Sequence, residues 1–154
     1  MTKSAKDLPG LIRAAFPSVA LPAERVVPHA NDPEYAMVGR DFAGKGWSEI
    51  PPGVVARHRD RLPFFSPAGF RAHLGGFLLA ALAGDADVVQ GTVFSLYPPS
   101  KAELRPHFDE RAKTLDAAQR AAVAAFLRWV IADQGEDFPN GEPAAALQHW
   151  DKKA

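Results

Sequence analysis

Asp116 to Ile131, DAAQRAAVAAFLRWVI, is the stretch whose reading decides the fold. Val123, Phe126, Leu127, Val130 and Ile131 recur at i, i+3, i+4, i+7 and i+8, the repeat of one helix face rather than of a strand. Asp116 stands at the N-cap position, and Gln119 three residues on completes the spacing of a capping box. This is the longest and clearest helix of the chain.

Working back from it, the same punctuation recurs. Ser66 caps a helix with Pro67 at its first position, and Phe65 is spaced to pack on Phe70 as a hydrophobic staple. That helix continues through Leu74, Phe77, Leu78 and Leu82 to Gly84, with a kink or a close backbone contact expected at Gly75-Gly76. Asp32 and Pro33 open another, lined by Tyr35, Val38 and Phe42 and closed by Gly44. An earlier helix runs from a cap at Asp7 to Phe16, where Pro17 stops it. Between these two, Pro17, Pro22, Pro28 and Pro33 imply an extended connector. A short helix with Val55, His58 and Leu62 on one side is expected before Pro63.

Residues 87–97 are the ambiguous stretch. Val88, Val89, Thr92, Val93 and Leu96 fit a helix face, while their β-branched chemistry fits a strand. Helix is the choice, because a solitary strand among helices leaves its backbone donors and acceptors unpartnered. Further on, Ser100 to Glu103 has capping-box spacing for a helix that Pro106 must bend or restart on its way to Lys113. Downstream of residues 116–131, Gly135 to Gly141 is turn-rich, and Pro143 opens a last helix carrying Leu147 and Trp150. The expected architecture is all-α, a single-domain bundle of about six to seven short helices with a Pro-rich N-terminal connector. One domain spans residues 1–154, with an ordered core over about 7–150 and a loose end from Asp151.

Composition supports one core and narrows function. With 47% hydrophobic and 23% charged residues, the 154-residue chain lies away from the signature of disorder. Eighteen basic residues balance eighteen acidic ones, so no overall field favours nucleic acid or an anionic membrane. The absence of Cys removes disulfides, thiolate metal sites and cysteine nucleophiles. Neither Phe77 to Ala83 nor Ala121 to Leu127 approaches the ~20 apolar residues that span a bilayer, and Met1 to Gly10 holds no apolar leader core. The expectation is a cytoplasmic protein with no cofactor.

The motifs resolve into ordinary structure. Gly39 to Lys45 matches GxxxxGK, but Gly46 stands where the magnesium-binding hydroxyl belongs and Pro51-Pro52 blocks the helix that must follow. Gly44 as a helix terminator explains the match. His58-Arg59-Asp60 echoes a kinase catalytic loop without the rest of that machinery. Glu103, His107 and Glu110 lie at i, i+4 and i+7 and would form a metal-ligand set on an unbroken helix, which Pro106 interrupts. Arg57, Arg59, Arg61, Arg71 and His73 make a locally basic region that reads best as solvated surface. Trp47, Trp129 and Trp150 read as core, with Trp129, off the main stripe of its helix, the best second contact surface.

Several pieces in this order carry a resemblance: Trp47-Ser48-Glu49, Phe65-Ser66-Pro67 with Phe70, Phe77-Leu78, Phe94 and Leu96 before Pro98-Pro99, Phe108-Asp109-Glu110-Arg111, and Gln119 before Ala125-Phe126-Leu127. Together they resemble an uncharacterised family of small bacterial all-helical proteins, over roughly Leu11 to Trp150. Where that family carries Tyr-Leu-Pro, this chain has His73-Leu74-Gly75. The resemblance implies no activity and transfers no functional residue. The leading expectation is a non-enzymatic interaction module, an accessory or immunity-like protein with a protein partner, with Trp129, Arg71 and His73 as contact candidates. The alternative is a small hydrolase or metal-dependent enzyme using Glu103, His107, Asp109, Glu110 or Arg111. The alternative requires these groups to converge in a pocket.

Overall fold

A computed structural model describes residues 7–29 and 31–151. The readings made on residues 1–6 and 152–154, the missing leader core and the loose C-terminal end, fall outside them in whole or part. Among the described residues there are nine α-helices, four short 3-10 turns and no strand. The helices are α1 Leu8–Ala15, α2 Ala23–Val26, α3 Pro33–Phe42, α4 Pro52–Arg57, α5 Pro67–Leu82, α6 Ala86–Leu96, α7 Arg105–Ala112, α8 Ala117–Gln134 and α9 Glu142–Trp150. The count passes the expected number of about six to seven partly because the Pro-rich connector holds a one-turn helix, α2, which Pro22 caps without interrupting.

Most of the local signals act as their spacing predicts. Asp116 Oδ1 accepts from the Gln119 amide at 2.8 Å while Gln119 Oε1 accepts from the Asp116 amide at 3.0 Å, a closed capping box at the head of α8. Ser66 Oγ accepts from the Gly69 amide at 3.0 Å and Asp32 Oδ1 from the Glu34 amide at 3.0 Å. Gly44 sits at φ 72°, the left-handed residue that ends α3. Asp7, by contrast, makes no side-chain cap to α1. The ambiguous stretch is helical over Ala86–Leu96, with Val88, Val89, Thr92, Val93 and Leu96 all buried, and Tyr97 ends it in extended conformation. Asp85 starts this helix by accepting from the amides of Asp87 and Val88.

Helix α5 is the axis of the molecule, packed by α1, α2, α4, α6 and α7. Its sequence is apolar almost all round, which is the pattern of a helix surrounded by others. The chain approaches it closely at its glycines. A Cβ at Gly69 would lie 2.2 Å from Val26 O, and one at Gly75 would lie 2.6 Å from Phe16 Cβ. The helix runs unbroken through Gly75-Gly76, so close contact rather than a kink is what those residues serve. At the far end Trp150 of α9 is buried, and its indole donates to Leu96 O at 2.7 Å. That bond ties the last helix to α6.

Two local expectations are corrected. Ser100 does not cap a helix: Lys101 takes the N-cap position of a 3-10 turn, Ala102–Leu104, and α7 starts afresh at Arg105. Pro106 then occupies the first turn of α7, where its missing N–H costs no hydrogen bond. Ile131, placed on the core stripe of α8, is 39% exposed, while Val130 beside it is fully buried.

Candidate functional site

An open groove is lined by the end of α6, the Pro-rich turn after it and α7, together with Tyr35 of α3 and the 3-10 turn Leu62–Phe64. Its volume is about 590 Å³, within the range of ligand and peptide clefts. The residues follow from local geometry. Helix α6 turns its β-branched face inward, so Phe94 is left on its outer face. Leu104 closes the 3-10 turn, and Tyr97 precedes the two prolines that end the helical path. Tyr35 is only half-buried, and its ring packs on Phe64 at 5.0 Å and on His29 at 5.3 Å.

Exposure singles this groove out. Among the described residues five large hydrophobic side chains are exposed, and three of them, Phe94 at 50%, Tyr97 at 36% and Leu104 at 48%, line it. Scattered exposed apolar residues are normal, whereas a cluster on one concavity marks a contact surface. Arg111 reaches into the same groove from α7, half-buried, with one hydrogen bond of 3.4 Å to Pro63 O. Among the described residues no carboxylate stands within ion-pair distance of it. Burial lowers the pKa of its guanidinium from the ordinary arginine value, and the Tyr35 phenol acts in the opposite sense.

The structure separates the residues proposed for metal or acid–base chemistry. Glu103 lies in the 3-10 turn while His107 and Glu110 lie on α7, so the single unbroken face on which the three would meet does not exist. Among the described residues no group of three His, Cys, Asp or Glu side chains is placed to hold a metal. Asp109 pairs with Arg105 at 3.1 Å, one helical turn away. His107, Glu110 and Arg111 do line the groove, and among the described residues no carboxylate is hydrogen-bonded to His107 to orient it as a base.

The interaction candidates fare differently from one another. His73 is 1% exposed and cannot meet a partner; it packs in the core against Phe42 and Phe65, with ring centroids 4.9 and 5.7 Å away. Its position on the face of α5 that packs against α3 and Phe65 is the physical reason. Arg71 is exposed and pairs with Asp116 at 3.5 Å. Trp129 is half-buried against the core and lies 6.0 Å from the Phe126 ring. Of the basic region, Arg57 pairs with Asp41 at 3.5 Å and Arg61 donates to His58, whose ring is bonded to the same Asp41, so both arginines are held in one network at the end of α4.

Sequence reading missed the groove itself. Tyr35 reads from periodicity as a core residue, Phe94 enters only through the family resemblance, and Leu104 carries no motif. Their signal is negative, since each is a large apolar residue off the buried face of its element.

Fold and groove together define a small all-α domain that displays an aromatic cleft with a half-buried arginine in it. The chain belongs to a family of unknown function (DUF6714), whose model matches residues 4–154. No curated protein and no solved structure matches the chain.

Proposed function

We propose that the protein is a non-enzymatic interaction module and that the groove between α7 and the Leu62–Phe64 turn is its contact surface. The observation that carries this is the gathering of Phe94, Tyr97 and Leu104, three of the five exposed large hydrophobics, on one open concavity. Burying such side chains against a partner releases apolar surface from water at roughly 25 cal/mol per Å² before ordering costs. The reading keeps the bacterial setting implied by the resemblance and the cytoplasmic location expected from the sequence, and no helix among the described residues is long and apolar enough to cross a membrane.

The test is comparative capture from the native host, with the wild-type chain and a Phe94→Ser/Leu104→Ser variant as bait. Both positions are half-exposed, so the variant is expected to melt within a few degrees of wild type. A partner retained by the wild type and lost by the variant supports the groove. Equal retention by both, or no stable partner for either, removes it.

A further inference from the structure

We infer that the groove takes an extended peptide segment in which one acidic side chain stands between apolar ones, with Arg111 receiving the carboxylate. The inference rests on the interaction reading above and adds the chemistry of the occupant. Arg111 is the starting point: a half-buried guanidinium carries five N–H donors in a fixed fork, and here a single long bond to Pro63 O is its hydrogen-bonded partner. A partly desolvated cation with no carboxylate beside it gains from an arriving anion through charge-assisted, bidentate hydrogen bonds. The other arginines of the neighbourhood are committed, Arg105 to Asp109 and Arg61 to His58.

Two features specify the rest of the occupant. Apolar side chains reach the groove from several elements, Tyr35 from α3, Phe64 from the Leu62–Phe64 turn, and Phe94, Tyr97 and Leu104 from α6 and the segment after it, so the charge shares one lining with them. A segment with large apolar residues before and after its carboxylate matches that arrangement. Glu110 also lines the groove, and it does not reach Arg111. Its negative charge opposes a polyanion such as a nucleic acid or a phosphorylated chain and is compatible with a single carboxylate.

The probes are acetyl-phenylalanyl-aspartyl-phenylalanine amide, its asparaginyl counterpart, and N-acetylphenylalanine, which offers a terminal carboxylate, each titrated into the full chain and followed by ¹⁵N–¹H NMR. The aspartyl peptide is expected to bind at least about fivefold more tightly than the asparaginyl one, shifting the Arg111 Nε–H signal and the amides of residues 94–97 and 104–111. In Arg111→Gln the two peptides should bind alike, and Arg111→Lys should recover part of the difference; thermal melts establish that both variants are folded. Equal affinity of the two peptides for the wild-type groove overturns the carboxylate inference and leaves the interaction reading standing. N-acetylphenylalanine binding as tightly as the aspartyl peptide overturns the internal acidic segment in favour of a chain end. Absence of groove shifts with every probe overturns the inference and counts against the groove as well.

Discussion

Two buried histidines show how differently one side-chain type is accommodated. His58 is fully buried, and its ring is satisfied on both sides: Nε2 donates to Asp41 Oδ2 at 2.7 Å and Nδ1 accepts from Arg61 Nη1 at 3.1 Å. Burial acts to raise the Asp41 pKa, but the His58 hydrogen bond and the charges of Arg57 and Arg40 outweigh it and lower it below the ordinary aspartate value. His73 has no such partners, and both ring nitrogens are buried without a hydrogen bond. Burial therefore depresses its pKa to about 4. The unfolded chain binds a proton at this ring near 6.5, and the folded chain does so only near 4, so in that interval the unfolded state holds more protons. Stability is at its full value above about pH 6.5 and declines as pH falls toward 4, by about 3 kcal/mol from this group alone. His73→Leu removes the two unpartnered nitrogens at nearly constant volume. It is expected to raise stability at pH 7 by roughly 1–3 kcal/mol and to flatten this part of the acid decline. Urea denaturation of both proteins at pH 7 and pH 4 checks this; a variant with the same pH difference as wild type would refute the assignment.

At the scale of elements, helix propensity and packing pull the same substitution in opposite directions at different glycines. Gly91 lies in the middle of α6, where alanine would gain roughly 1 kcal/mol in a lone helix. Its added Cβ would lie 2.1 Å from Arg59 O, so α6 must shift away from the turn that follows α4. Gly10 in α1 has nothing within 4 Å of such a Cβ. Gly91→Ala is therefore expected to lower stability by about 2 kcal/mol or more, and Gly10→Ala to raise it by about 0.5–1 kcal/mol. Thermal unfolding of the pair reads both signs, and a stabilised Gly91→Ala would show that the backbone contact is absent in solution. Caps such as Asp32, Ser66 and Asp116 were legible because each acts within three residues of itself. The close contact at Gly75-Gly76 was legible in the paired glycines, whereas those at Gly69 and Gly91 were not, because Val26 and Arg59 are brought to them by other elements.

For the molecule as a whole, Trp150 is the closing contact. Its indole donates to Leu96 O, its ring lies 6.1 Å from Phe108, and the Arg120 guanidinium stacks over it at 4.9 Å. One side chain of α9 thus braces α6, α7 and α8, and two of these carry the groove. Trp150→Ala is expected to cost about 3–5 kcal/mol, read as a lower urea midpoint by circular dichroism with an unchanged slope. A loss below about 1 kcal/mol would mean that α9 is not part of the cooperative unit. Reading the chain in order was enough to establish that it is helical, one domain, and where most helices begin, since hydrophobic period, proline placement and capping operate over a turn or two of backbone. Packing alone decided the rest. Residues 35, 64, 94, 104 and 111 meet in one groove, Glu103 is parted from His107 by a change of helix, and His73 lies inside rather than outside. These outcomes depend on which faces of separate helices come together. On a helix as evenly apolar as α5, no periodic signal marks the face that His73 will occupy.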